Sequence, residues 1–257
     1  MAGGKYDSSL TRVAPFFDAL REQDKSGQSW LPKLLSLPEY GSTAPRPGHA
    51  HPLIEAHWGR DERPLVPPVS LLSWLIRNID EPKSKLEKEL GHERRELVAR
   101  DPSRVEQALG LLRADPSSRG WHVLEGPSYP DAFIATADLV VVVEGKRTES
   151  GPTTSTTWMP VRHQILRHLD AAFEIRGGRP LFGFFIVEGQ PDGSLPPSWI
   201  NACRETLSEA TLAGSLPHRP ETERRIIESA FLGATTWQRV CAATGVAYSA
   251  LPSEVAV

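Results

Sequence analysis

The sequence predicts an α/β fold, a mixed sheet flanked by helices. Three observations carry that expectation. Val140-Val141-Val142-Val143 is an unbroken β-branched run of the kind that suits a strand buried on both faces. Leu181 to Val187 is a second, very apolar run of strand length. Segments of helical period lie before, between and after them, so helices are expected on the faces of a single sheet.

The chain has 257 residues, 39% hydrophobic and 24% charged, enough for one large domain or one ordinary domain with an extension. A net charge of −3 excludes a globally basic nucleic-acid binder, so any positive potential has to be local. Cys203 and Cys241 match neither a disulfide framework nor a zinc-finger spacing and read as reduced core residues. Met1 to Leu10 is polar, without a signal-type apolar stretch, and the Leu65 to Ile79 run is too short and too polar to span a bilayer. A cytoplasmic location without membrane contact is therefore expected.

Taken in order, residues 1–80 read as a Pro-rich extension, mostly irregular from Leu31 to Pro68, with a short helix at Val69 to Asn78. Residues 81–257 read as the α/β domain. From Lys83 the pattern is helical, with Leu86, Leu90, Glu93, Leu97 and Val98 on one face. Asp101-Pro102 has the form of an N-cap followed by proline at the first helical position, and Val105, Ala108, Leu109 and Leu112 face inward after it. Three strands are expected at Trp121 to Glu125, Asp131 to Thr136 and Leu139 to Glu144, the last two joined by a tight turn at Thr136-Ala137-Asp138. A helix from about Val161 to Ile175 ends at Gly177-Gly178, and the strand at Leu181 to Val187 follows. Pro196-Pro197 opens another helix over Ser198 to Ala213, and the tail from Glu221 to about Ala243 reads as helical. The core order is thus helix, three strands, helix, strand.

The chemistry concentrates at the hairpin around Ala137. Pairing its strands brings Asp131 opposite residues near Val143 and Glu144, so two carboxylates meet at one end of the sheet. Such a pair repels, and one pKa rises unless a cation intervenes. A hard divalent ion resolves the conflict, because Mg²⁺ takes oxygen ligands and keeps waters for substrate or nucleophile. Lys146, two residues past Glu144, falls on the same strand face and can orient the attacking water, help deprotonate it, or stabilise charge on a phosphate.

Pro130-Asp131 followed by Glu144-Gly145-Lys146 after a valine-rich strand resembles the PD-(D/E)xK nuclease superfamily, the restriction-endonuclease-like proteins that include recombination exonucleases and Holliday-junction resolvases. The family's core order matches the one read from Lys83 to Val187. The resemblance implies a Mg²⁺- or Mn²⁺-dependent hydrolase of phosphodiester bonds, with Asp131 and Glu144 as metal ligands, Lys146 as the catalytic lysine, and nucleic acid, DNA in first place, as substrate. Many members carry a further acid on the first helix. Glu93, Glu106 and Glu125 are each candidates, and Glu125 is favoured as a third metal ligand by its closeness to Asp131.

The helix after the loop carries Gln164, Arg167 and His168 on one face. Gln164 resembles a glutamine that borders the active site in exonuclease-like members, although the tyrosine that often follows it is missing. Read functionally, Arg162, Arg167 and His168 contact phosphate and Gln164 supports the site; read plainly, this is an amphipathic helix with a solvated basic face. Arg147, Thr148, Thr153, Thr154 and Thr156 line the preceding loop, as phosphate contacts or as plain surface. His49, His51 and His57 lack the spacing of a zinc site, and Trp30, Trp58 and Trp74 read as core anchors. The rivals to an active enzyme are a non-catalytic nucleic-acid- or partner-binding module on the same fold, and a metal-free structural or regulatory α/β protein in which the motif is accidental. A symmetric homodimer is compatible with any of these.

Overall fold

The computed structural model describes residues 7–79, 91–116 and 119–254. The chain begins with a turn of π-helix at Ser9–Val13 that runs into α1 (Ala14–Gln23), followed by α2 (Leu31–Ser36) and the strands β1 (Glu39–Tyr40) and β2 (Leu53–Trp58). Helices α3 (Val69–Asn78), α4 (His92–Val98) and α5 (Pro102–Ala114) come next. Then follow β3 (Ala132–Thr136), β4 (Val140–Gly145), α6 (Gln164–Ile175), β5 (Leu181–Val187), α7 (Pro197–Thr206), α8 (Glu209–Ser215), α9 (Glu221–Ala230), β6 (Phe231–Thr236) and α10 (Trp237–Thr244). Among the described residues the strands form one mixed sheet in the order β1-β6-β5-β4-β3-β2. β4, β5 and β6 are parallel; β1, β2 and β3 pair antiparallel to their neighbours.

The period-2 alternation of the strands builds two cores. Val141, Val143, Phe184 and Ile186 point to one face, where α1, α2 and α10 bring Phe16, Phe17, Leu34 and Trp237. Val140, Val142, Phe185 and Val187 point to the other, against Ile165, Leu169, Trp199 and Ile227 of α6, α7 and α9. A valine run covered on both sides is what a central strand requires, since β4 lies third from one edge of the sheet. A third, smaller core joins α3, α4 and α5 through Leu71, Leu75, Leu97 and Leu112.

Several expected elements are present. α3 occupies the expected span, and Asp101 caps α5 by accepting from Arg104 N–H at 2.8 Å. Thr136 closes the β3–β4 turn, its hydroxyl accepting from Leu139 N–H at 3.1 Å. Gly177 and Gly178 both take positive φ beyond α6. Cys203 and Cys241 are free and buried, and Trp30 and Trp58 are core residues. The part of the first helical pattern from Lys83 to Leu90 lies outside the described residues.

Other expectations are corrected. Trp121 to Glu125 is not a strand but a turn and an irregular segment, tied down by Val123 N–H to Gly120 O and by Arg94 Nε to Trp121 O. Its place beside β3 is taken by β2, from within the Pro-rich stretch expected to be irregular. The helix expected from Ser198 to Ala213 is two helices, broken where Ser208 caps α8. The tail expected to be helical contains β6, buried along its whole length between α9 and α10.

Gly233 makes the β1 edge possible. It takes φ of +93°, and a Cβ there would fall 1.9 Å from Glu39 O and 2.6 Å from Gly41 N, both rigid backbone atoms. Gly233→Ala is expected to pry β1 from β6 and to cost about 1–3 kcal/mol, the range for overpacking a tight site. A urea midpoint that does not move would refute this.

Candidate active site

Asp131 and Glu144 meet where the β3–β4 ladder ends. The ladder pairs Ala132 with Val143, and one more step of the same register sets Asp131 opposite Glu144. Both are buried, at 8% and 4% exposure. Asp131 Oδ2 accepts from Gly145 N–H at 2.8 Å, which fixes one carboxylate against the backbone next to the other.

The glycine between Glu144 and Lys146 has a steric cause. A Cβ on Gly145 would lie 2.5 Å from Val13 and 3.0 Å from Trp237, so the face opposite the carboxylates is already filled. Lys146 is pinned on both sides of its peptide: its N–H donates to Ile186 O at 2.8 Å, and its carbonyl accepts from Trp237 Nε1 at 3.0 Å. From there its ammonium reaches Glu144 Oε1 at 2.9 Å. The strand spacing thus delivers Lys146 to the face of Glu144, as expected.

Helix α6 supplies two further contacts. Gln164 Nε2 donates to Glu144 Oε1 at 2.6 Å, and His168 Nε2, one helical turn on, lies 3.1 Å from Glu144 Oε2. The Gln164 carbonyl oxygen is itself buried without a partner. Gln164 and His168 are therefore at the carboxylates. Arg167 is not brought there; it donates to Gly126 O and Pro127 O and braces the loop that leads to Pro130-Asp131.

The electrostatics divide the pair. Burial and the neighbouring Glu144 charge push the Asp131 pKa well up, against the pull of Gly145 N–H and Lys146. Burial also opposes ionisation of Glu144, but the His168 hydrogen bond and the charges of His168 and Lys146 outweigh it and hold its pKa down. Burial alone would lower Lys146; Glu144 and Asp131 reverse that and keep it an ammonium. The surroundings thus favour the charged forms of Glu144 and Lys146 and disfavour that of Asp131.

Glu125, expected as a third ligand, is instead held by arginine. Arg162 Nε and Nη2 grip both its oxygens at 2.8 to 3.2 Å, and Arg162 Nη2 also pairs with Asp170 at 2.9 Å. Arg162 is thus a wholly buried cation rather than a phosphate contact. Glu106 pairs with Arg113 on the surface, and Glu93 is half-buried on α4, which packs on α5. The acid that the sequence reading missed is Glu62, in the loop after β2. Gly59 N–H binds Asp131 O at 3.3 Å, which holds that loop to the site, and Ser9 Oγ lies 3.4 Å from Glu62 Oε1. Burial and the Glu144 charge raise the Glu62 pKa. Its one sequence signal was a run of four charged residues, Arg60-Asp61-Glu62-Arg63, in a stretch rich in proline.

Among the described residues, no three His, Cys, Asp or Glu side chains converge as a complete metal cage. No protein-family description, curated protein or solved structure matches the chain.

Proposed function

We propose that this chain is a divalent-metal-dependent nuclease that hydrolyses phosphodiester bonds, with DNA as its substrate, on a restriction-endonuclease-like core. The observation that carries the reading is the buried Asp131–Glu144 pair with the Lys146 ammonium 2.9 Å from Glu144. The element order adds support in a form the sequence reading did not foresee: α1, then the antiparallel β2, β3 and β4, then α6 and the parallel β5, with α2 and β1 inserted between α1 and β2 and α3 to α5 between β2 and β3.

The donor set fits Mg²⁺ or Mn²⁺. Two carboxylates without a complete cage suit an ion that keeps several waters and takes substrate oxygens as further ligands. Asp131, held toward its protonated form by its surroundings, gains an ionised state when a cation is bound. Such an ion supplies Lewis-acid polarisation of the phosphate and a more acidic water. Lys146, whose ammonium form Glu144 and Asp131 favour, would stabilise charge developing on the phosphate oxygens. Gln164 orients Glu144 with its amide N–H and leaves a buried carbonyl oxygen to accept from a water.

The test is incubation of plasmid and linear DNA with the protein and Mg²⁺ or Mn²⁺, with and without chelator, beside calorimetric titration of Mn²⁺. Cleavage that needs the ion and heat of Mn²⁺ binding are expected. One specific observation favours a second reading, a non-catalytic nucleic-acid- or partner-binding module: both Glu144 oxygens already have protein donors. Metal-independent DNA binding without cleavage of any substrate form would establish that reading in place of the first.

A further inference from the structure

Three side-chain donors hold Glu144 and divide unevenly between its oxygens: Oε1 takes Gln164 Nε2 at 2.6 Å and the Lys146 ammonium at 2.9 Å, and Oε2 takes His168 Nε2 at 3.1 Å. An ionised carboxylate offers about four lone-pair sites over its two oxygens. These donors therefore fill Oε1 and leave an open position on Oε2, beside the imidazole. His168 is fixed from behind. Ile165, Leu166, Leu169 and Ala172 pack α6 onto Val140, Val142, Phe185 and Val187 of the sheet, and a close-packed helix does not slide. The ring is 3% exposed, and its Nδ1 is buried with no hydrogen-bond partner among the described residues. Its polar contact is the one with Glu144.

Burying an imidazole with one nitrogen unsatisfied costs more than burying a leucine at the same place on α6. The fold alone gives no reason for a histidine here. Nor is this ring placed to meet a phosphate, since it is buried and its Nε2 already sits on a carboxylate. What it does fix is the direction in which the open Oε2 position points, as outer partners of metal-binding carboxylates do. Resting on the nuclease reading, we propose that His168 is a positioning residue for the divalent ion. It holds Glu144 so that Oε2 presents its open lone pair to a cation shared with Asp131. His168 thus sets the affinity for the ion rather than the grip on nucleic acid.

Calorimetric titration of Mn²⁺ tests this on the full chain and on its variants His168→Gln, His168→Asn and His168→Leu. Circular dichroism and thermal melts establish which are folded; either of the last two suffices beside His168→Gln. In His168→Gln the amide nitrogen lies as many bonds from the backbone as Nε2 and can donate to Oε2. In His168→Asn it stops at the place of Nδ1, and His168→Leu has no donor. His168→Asn and His168→Leu are expected to bind Mn²⁺ about 10–100-fold more weakly, and His168→Gln to stay within about threefold of the parent. The Mn²⁺ concentration for half-maximal DNA cleavage should rise in step. The slope of log K against log salt for a labelled DNA duplex, measured without divalent ion, should not change. A slope flattened by about 1 in His168→Asn would make His168 a phosphate contact and overturn the proposal. Mn²⁺ affinities that are unchanged in all variants, or lowered equally in His168→Gln and His168→Asn, would also overturn it. With metal-dependent cleavage by the parent intact, each of these leaves the nuclease reading standing. A parent that neither binds Mn²⁺ nor cuts DNA overturns both.

Discussion

Arg162→Met is expected to destabilise the fold by about 3–5 kcal/mol, the usual result of removing one partner from a buried ion pair. Arg162 has no exposed side-chain surface and serves two carboxylates that have almost none, Glu125 and Asp170. Methionine fills much of the volume but leaves Glu125 facing apolar surroundings, with Arg167 at 3.5 Å as its remaining cation. Asp170 keeps Arg219 and His218. The loss should therefore be carried mainly by Glu125, and Arg162→Met with Glu125→Gln should recover part of it. Urea titration of the single and double variants measures both quantities. A single variant as stable as the parent would show that the network carries no such stability. The same network fixes an acid limit. Burial pushes Asp170 up, yet the His218 hydrogen bond and the charges of Arg162, His218 and Arg219 hold it at about 2. A carboxyl with a lowered folded pKa stabilises fully above its unfolded value of about 3.9, and that share is lost as pH falls from there toward 2.

Asp131→Asn is expected to abolish cleavage, by at least about 10²–10³-fold, while making the metal-free protein more stable. Asparagine keeps a carbonyl oxygen for Gly145 N–H but cannot repel Glu144. The sign follows from the raised pKa of Asp131. A carboxyl that holds its proton more tightly when folded favours folding at low pH, and its ionisation works against folding as pH climbs past the unfolded value. The variant should thus gain about 0.5–2 kcal/mol at pH 8 in chelator, and little or nothing at pH 4. Denaturant titration at the two pH values measures the gain; a variant less stable than the parent at pH 8 would show that the pair does not repel in the folded state. Such opposed effects on activity and stability would mark the pair as kept for chemistry rather than for the fold.

How much of this was legible in the sequence depends on where each element's signal lay. β4 and β5 announced themselves because strands buried on both faces become continuous apolar runs, and the Glu144 to Lys146 spacing follows from strand geometry alone. Gln164 was singled out by its resemblance to a glutamine on the same helix of exonuclease-like proteins, and helix spacing put His168, with Arg167, on its face. β6 was missed because α9 runs into Phe231 and α10 starts at Trp237 without a glycine or proline at either junction, so one helical pattern seemed to continue. β2 was hidden by its flanking prolines and by Glu55 and His57, which suit an edge strand but look like loop. Glu125 was misjudged for a different reason. Nearness in sequence put it beside Asp131, whereas its partner Arg162 lies 37 residues away. Glu62 was passed over by the same reasoning in reverse, since only the pairing of β2 with β3 carries its loop to the carboxylates.

The hydrogen bond from Trp237 to the Lys146 carbonyl has a bearing on when the Asp131–Glu144–Lys146 cluster becomes aligned. Strand β1, near the start of the chain, pairs with β6, near its end, and the lysine strand is braced by a residue made later still. A chain emerging from the ribosome carries Asp131, Glu144 and Lys146 long before it carries Trp237. Until α10 arrives the floor beneath Gly145 has Val13 but lacks Trp237, and pairings so distant in sequence are slow to form. The nascent polypeptide therefore holds Asp131, Glu144 and Lys146 before it holds the whole framework that aligns them.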